Sequence, residues 1–269
     1  MPVGPGNTVT FYNNAGTVSV IADEVGYDAY GSGARFTAKA PTRVLDTRTG
    51  LGAPKAPLGA GRTLTLTIHG LPAGTTAVAL NVTVTAPTAG SYITVYPGGV
   101  GRPVASNLNF APGQTIPNMV LVPVGPGSTV TFYNNAGAVS VLADLTGSYG
   151  PATGSWFTAF TSTTVLDTAT GIGTPKAKLG AGRALTLTVP SLPAGTTVVA
   201  VIVTITSPTA AGFLTVHPGG AAQPLASNLN FVAGVNATNL VMVPVGPGGA
   251  VTLFNAAGTV DVIADIVGT

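Results

Sequence analysis

The sequence predicts an all-β protein made of tandem β-sandwich domains, jelly-roll or immunoglobulin-like in type, with two full copies and one partial copy. Three observations carry this reading. Thr, Val and Gly dominate where Lys, Glu, Gln and Arg would coat helices, and only 7% of residues are charged. Short β-branched runs are punctuated by 37 Gly and 22 Pro. The whole pattern returns after 121 residues without a slip: "VGPGNTVTFYNNAGTVSVIAD" at residues 3–23 reappears at 124–144 and at 245–265.

A period this long indicates tandem domains of ordinary size, because solenoid repeats run to about 20 to 50 residues. Within one unit the expected strands are "TRVLDT", "TLTLTI", "AVALNVTVT", "SYITVY", "SNLNF", "MVLVPV", "TVTFYN" and "VSVLADL", each bounded by Gly, Pro or Asn. In "TLTLTI" the alternation sends Leu64, Leu66 and Ile68 to a core and Thr63, Thr65 and Thr67 to water. Eight such strands fit two packed sheets, with a closed barrel or a trefoil as the alternative.

The Gly/Ser-rich stretches at 26–36 and 147–157 divide the chain into residues 1–30, 31–150 and 151–269. The first piece is then the closing hairpin of a repeat whose body is missing. Its strands, "TVTFY" and "VSVIA", are expected to pair with a neighbouring edge or with another molecule. A permuted closure would instead leave 243–269 as the orphan. Met1 runs straight into the middle of a repeat, so the chain reads as a fragment of a longer one.

A net charge of +2, with its basic residues scattered, makes no stripe for phosphates, so nucleic acid is not an expected partner. Gly, Pro or Asn interrupts each apolar run within about a dozen residues, too short for membrane insertion. Cysteine is absent, which removes disulfides.

Few groups are left for chemistry. Five of the eight acidic residues fall on two repeat positions: Asp46 and Asp167 in "VLDT", and Asp23, Asp144 and Asp265 in "AD". Both full copies keep an arginine after "GAG", Arg62 and Arg183. The expectation is structural: one aspartate caps a turn while another meets the arginine. A glycosidase pair of Asp46 and Asp144 is the catalytic alternative. His69 aligns with Pro190 and His217 with Tyr96, so neither copy repeats a histidine base or zinc ligand. No metal and no cofactor is expected.

Aromatic and amide groups suggest binding instead. Period two puts Tyr92, Thr94 and Tyr96 on one strand face, and the second copy answers with Phe213, Thr215 and His217. Spaced rings can stack on sugars while nearby amides read hydroxyls, and packing beneath a loop is the competing reading. In "SNLNF", Asn107 and Asn109 share a face opposite Leu108 and Phe110, as do Asn228 and Asn230 in the second copy. Asn118 and Asn239 stand at matching places before the next strand. These amides either tie loops to strand edges or form a polar surface beside Tyr92 and Tyr96.

The order of motifs "RVLDTR", "AVALNVTVT", "YITVYPGG", "SNLNF", "NMVLVPVG" and "VSVLADLTG" resembles the tandem modules of secreted actinobacterial surface proteins and hydrolases. The resemblance implies export and an accessory role at the cell surface, and it supplies no ligand or catalytic residue. The second copy departs from the pattern where Arg43, Arg48 and Asn81 become Thr164, Ala169 and Ile202. If those residues make a site, the first copy alone has it intact. The expected function is therefore non-catalytic: adhesion to polysaccharide or other cell-wall glycan. The alternative is a spacer or filament protein that self-associates through the orphan hairpin.

Overall fold

The computed structural model describes residues 3–24, 26, 33–151 and 154–269. Among them, strands cluster in two sets of eight. The first set is β1 (Arg35–Asp46), β2 (Arg62–Thr67), β3 (Ala77–Thr85), β4 (Ser91–Pro97), β5 (Leu108–Phe110), β6 (Ile116–Pro123), β7 (Thr129–Asn134) and β8 (Ser140–Gly150). The second is β9 (Ala159–Asp167), β10 (Arg183–Thr188), β11 (Val198–Thr206), β12 (Gly212–Pro218), β13 (Leu229–Phe231), β14 (Ala237–Pro244), β15 (Ala250–Asn255) and β16 (Asp261–Gly268).

Each set makes two four-stranded antiparallel sheets. The first sandwich has the orders β1-β8-β3-β6 and β2-β7-β4-β5, and the second repeats them as β9-β16-β11-β14 and β10-β15-β12-β13. This order is that of a jelly roll rather than an immunoglobulin fold. The expected alternation holds: Leu66 and Ile68 are buried in the core with Val82, Ile93 and Phe132, while Thr63, Thr65 and Thr67 are exposed. Among the described residues no helix is long and apolar enough to cross a membrane.

The repeated motifs are the joints of this fold. In "VLDT" the Thr47 N–H donates to the Val141 carbonyl at 3.1 Å and its Oγ1 accepts from the Val141 N–H at 3.0 Å, clasping the end of β1 to β8. Thr168 and Val262 do the same in the second sandwich. Asn134 is fully buried; its Nδ2 donates to the Leu58 and Gly137 carbonyls at 2.9 and 3.0 Å, joining the "LGAG" and "NNAG" loops. Gly125 of "VPVG" lies so near the backbone of Gly98 in "PGG" that no Cβ would fit, and Gly246 meets Gly219 likewise.

Residues 3–24 correct an expectation. They repeat the sequence of β7 and β8, yet the expected strands at 8–12 and 18–22 do not form, and only a Gly4–Thr8 bridge is present. The reason lies in the pairing. β7 sits between β2 and β4 and β8 between β1 and β3, so each needs a partner on both sides, and both sandwiches fill those positions with their own residues. Phe11 and Val9 are accordingly exposed, although their counterparts Phe132 and Val130 are wholly buried. Much of the first Gly/Ser seam lies outside the described residues. The second begins inside a strand, because β8 continues to Gly150.

The two sandwiches are docked. Phe36 and Ala79 of the first pack with Val198, Ala200 and Met242 of the second in a small apolar core of their own. The connecting segment is tied in as well: Ser155 exchanges two backbone hydrogen bonds with Phe36, each of 3.0 Å, and its hydroxyl lies 3.2 Å from that of Thr197.

Candidate functional site

The first candidate site lies on the outer face of the β2-β7-β4-β5 sheet. Antiparallel pairing puts Tyr92 opposite Asn109, and Thr94 opposite Tyr133. The rings of Tyr92 and Tyr133 lie 6.4 Å apart, tilted by 51°, and both are half-buried. From the loop between β4 and β5, Arg102 sets its guanidinium 4.1 Å from the Tyr133 ring centre, with Nη1 3.5 Å from the Tyr92 hydroxyl. A cation over a ring face is attracted by its quadrupole. The Tyr133 hydroxyl donates to the Asn135 side-chain Oδ1 at 3.4 Å.

The same loop separates the candidates on β4. Thr94 donates to the Ala105 carbonyl at 2.6 Å, drawing the loop over the strand, and Tyr96 is buried beneath it at 6% exposure. Tyr96 is therefore corrected from a ligand contact to a covered side chain. His217 is corrected on the same ground: it is 5% exposed, and its Nδ1 lies 3.1 Å from the Pro218 carbonyl oxygen. Phe213 remains open at 37%. In the second sandwich Phe254 replaces Tyr133 and Gln223 replaces Arg102, so the rings persist without hydroxyls or guanidinium.

The "SNLNF" asparagines divide by role. Asn107 Oδ1 accepts the Val95 N–H at 2.7 Å while its own N–H donates to Ile93, so the side chain continues a ladder that β5 is too short to complete. Asn228 repeats this with Val216 and Leu214. Asn109 and Asn230 donate to Ser106 and Ser227 hydroxyls at 3.2 Å. Asn118 and Asn239 donate to the Asn107 and Asn228 carbonyls at 2.6 and 2.8 Å.

A second polar cluster lies between the sandwiches. Asn81, on the outer face of β3, donates to the Ser227 carbonyl at 2.7 Å and accepts from Asn239 Nδ2 at 3.0 Å. The Asn239 oxygen takes the Met119 N–H at 3.2 Å, covering the edge strand β6. Nearby, Arg43 Nε donates to Asp144 at 2.6 Å, Nη1 reaches Asp46 at 3.4 Å, and Nη2 lies 3.5 Å from the Leu225 carbonyl. Arg48 grips Asp46 at 2.9 and 2.7 Å, and its N–H caps the same carboxylate. The Arg48 hydrogen bond holds the Asp46 carboxyl down to about 2 despite burial. Asp144 goes the other way: its burial pushes the carboxyl up, and Arg43 only partly offsets this.

These contacts correct the expected ion pairs. Arg62 and Arg183 are exposed at the starts of β2 and β10, and the aspartates are met by Arg43 and Arg48. The second copy lacks both arginines. Asp167 keeps the turn cap, accepting from the Ala169 N–H at 2.9 Å and the Thr170 hydroxyl at 2.7 Å, and Asp265 takes the Thr164 hydroxyl at 2.5 Å. As a glycosidase pair, Asp46 and Asp144 are badly placed: both are buried, and Arg43 bridges them. Among the described residues no three His, Asp or Glu side chains gather as a metal site would require.

Tyr133, Arg102 and Asn134 were not singled out by sequence. "TFYNN" was readable only as a strand end, and Arg102 sits in a Gly-rich loop whose path over the sheet has no sequence signature.

No family model matches the chain, and no curated protein matches it. Among solved structures it is similar to the tandem CBM22-1-CBM22-2 domain of Paenibacillus barcinonensis Xyn10C, at 14% identity and a TM-score of 0.25, over 87% of this chain and 94% of that one. It is also similar to the PBSX exported protein XepA, at 9% identity and 0.25, over 93% and 100%. The STIV MCP follows at 8% identity and 0.21, over 88% and 96%. At these TM-scores the overlaps carry nothing to the ligand or role of this chain.

Proposed function

We propose that this chain is a non-catalytic, exported binding module whose first sandwich holds a polysaccharide, of the cell wall or of another glycan. The observation that carries the reading is the Tyr92–Tyr133 pair with Arg102 beside it, on the sheet face turned away from the docked sandwich. Tilted aromatic rings offer apolar surface to the C–H faces of sugars, while the Tyr92 hydroxyl, Arg102 and Asn135 supply hydrogen bonds for ring hydroxyls. The order of motifs, similar to that of exported accessory modules, supports a place outside the cell. The second sandwich keeps Phe213 and Phe254 but not the polar rim, so it contributes less.

The test is retention of the whole chain on peptidoglycan, cellulose, chitin and xylan, with soluble sugar as competitor. Retention that a sugar reverses, and that Tyr92→Ala with Tyr133→Ala weakens about tenfold, supports the reading, since losing stacked rings forfeits about 1 to 2 kcal/mol. Absence of retention on all four polymers, or retention unchanged by the double substitution, overturns it.

A second reading has its own observation. The sandwiches meet through a buried apolar core and an asparagine relay, as a rigid spacer requires. A polysaccharide-binding chain can also be a spacer, so the two readings are compatible and the retention assay tests the first alone.

A further inference from the structure

We infer that the surface of the first sandwich around Val104, Ser106 and Asn118 is a docking face for another repeat domain of this type, one bearing arginine and asparagine where the first sandwich has Arg43 and Asn81. The argument comes from the interface already present. The second sandwich docks by a surface made of Leu225, Ser227 and Asn239, and what it grips is the Arg43–Asn81–Met119 face of the first. The polar residues of the two surfaces lie at different places in the repeat, while the equivalent residues Ala79 and Ala200 both belong to the apolar core between the sandwiches. Such a contact is heterologous, and each unit carries one gripping face and one gripped face.

The first sandwich has its own copy of the docking surface, 121 residues earlier, as Val104, Ser106 and Asn118. That copy is built in the same way. Asn118 donates to the Asn107 carbonyl as Asn239 does to Asn228, so its amide is already oriented. What differs is coverage: Asn107 and Asn118 are half-buried and Ser106 and Asn109 exposed, whereas Asn228 and Asn239 are buried and Ser227 and Asn230 half-buried. Val104 is fully exposed, and so is its docked counterpart Leu225, which meets Arg43 through its backbone carbonyl, so the difference in coverage lies in the serine and asparagines.

The gripped face shows the converse. In the first sandwich Asn81 and Thr83 are buried under the second; in the second, Ile202 and Thr204 at the same positions are half-exposed. Here Thr164 and Ile202 stand in place of Arg43 and Asn81. An Asn118 amide laid on Ile202 would lose its partner, and an unpaired buried amide is costly. The second sandwich therefore ends an array, while the first remains open to one.

The experiment restores the missing grip in the whole chain. Thr164→Arg with Ile202→Asn is expected to make the protein associate head to tail, at least about tenfold more tightly than the parent chain by sedimentation velocity. Adding Asn118→Ala to that variant should return it to the parent's behaviour. Circular dichroism and thermal unfolding confirm that each variant is folded, and Thr164→Arg alone serves as a milder second variant. A folded double variant that associates no more than the parent overturns the inference, as does association that Asn118→Ala leaves unchanged.

Discussion

The Asn239 side-chain N–H crosses from one sandwich to the other and donates to the Asn81 oxygen at 3.0 Å, with both residues buried. The two amides act as one relay, since Asn81 also holds Ser227 and Asn239 also holds Met119 and Asn228. Asn81→Ala strands an amide and a carbonyl, and is expected to cost about 2 kcal/mol. Asn239→Ala should cost a similar amount, and the double variant less than the two together, because the first loss already breaks the relay. Urea unfolding of the four chains measures this; strictly additive losses would show the residues to be uncoupled.

Arg43 gives a prediction whose sign depends on pH. Asp144 is fully buried, and burial raises its carboxyl above the ordinary value. A raised carboxyl destabilises the fold wherever it is ionised, and that cost is relieved as pH falls through the raised value. Arg43→Ala removes the one cation offsetting it, so the variant should lose about 3 kcal/mol at pH 7. The deficit should narrow on acidification, as read from urea midpoints between pH 7 and 4. Asp265 survives without an arginine because it is only half-buried.

Asp46 behaves in the opposite sense. Its carboxyl is held at about 2, below the ordinary 3.8, chiefly by Arg48. Stability from a lowered carboxyl is fully present above the ordinary value and is lost as pH falls through the lowered one. Arg48 is half-exposed, so Arg48→Ala should cost about 1 kcal/mol at pH 7. The gap between variant and parent should hold down to about pH 4 and close toward pH 2. A gap that persists at pH 2 would show that Arg48 acts by packing.

The strands were legible because each carries its own alternation: Leu66 and Ile68 go to the core and the threonines between them to water whatever surrounds the sandwich. The docking face was hidden for the same reason. In "AVALNVTVT" the positions of Ala79, Asn81 and Thr83 look like an ordinary wet face, and nothing local says that a second sandwich covers it. The departures at Arg43 and Asn81 were visible as departures, but their meaning depends on a partner 146 to 182 residues away. Tyr96 misled because period two assigns a face and says nothing about the loop lying on it. Residues 3–24 misled in the reverse direction: a strand sequence forms a strand only where neighbouring strands exist to pair with it.

Gly147 and Gly268 offer a matched comparison. Each lies under a phenylalanine ring, Phe36 and Phe157 respectively, so close that an added Cβ would overlap the ring. Phe36 cannot move aside: it is 1% exposed, its ring packs at a tilt against that of Tyr149 with centres 4.9 Å apart, and it belongs to the apolar core between the sandwiches. Phe157 is only half-buried and has room to turn outward. Gly147→Ala should therefore cost about 2 kcal/mol and loosen the docking, because forcing a methyl into a filled core displaces its neighbours. Gly268→Ala should cost clearly less, and Phe36→Leu should recover part of the Gly147→Ala loss by vacating the space the methyl needs. Thermal unfolding of the three variants checks the order. Equal losses at the two glycines would mean that the strand backbone, and not the ring above it, sets the requirement for glycine.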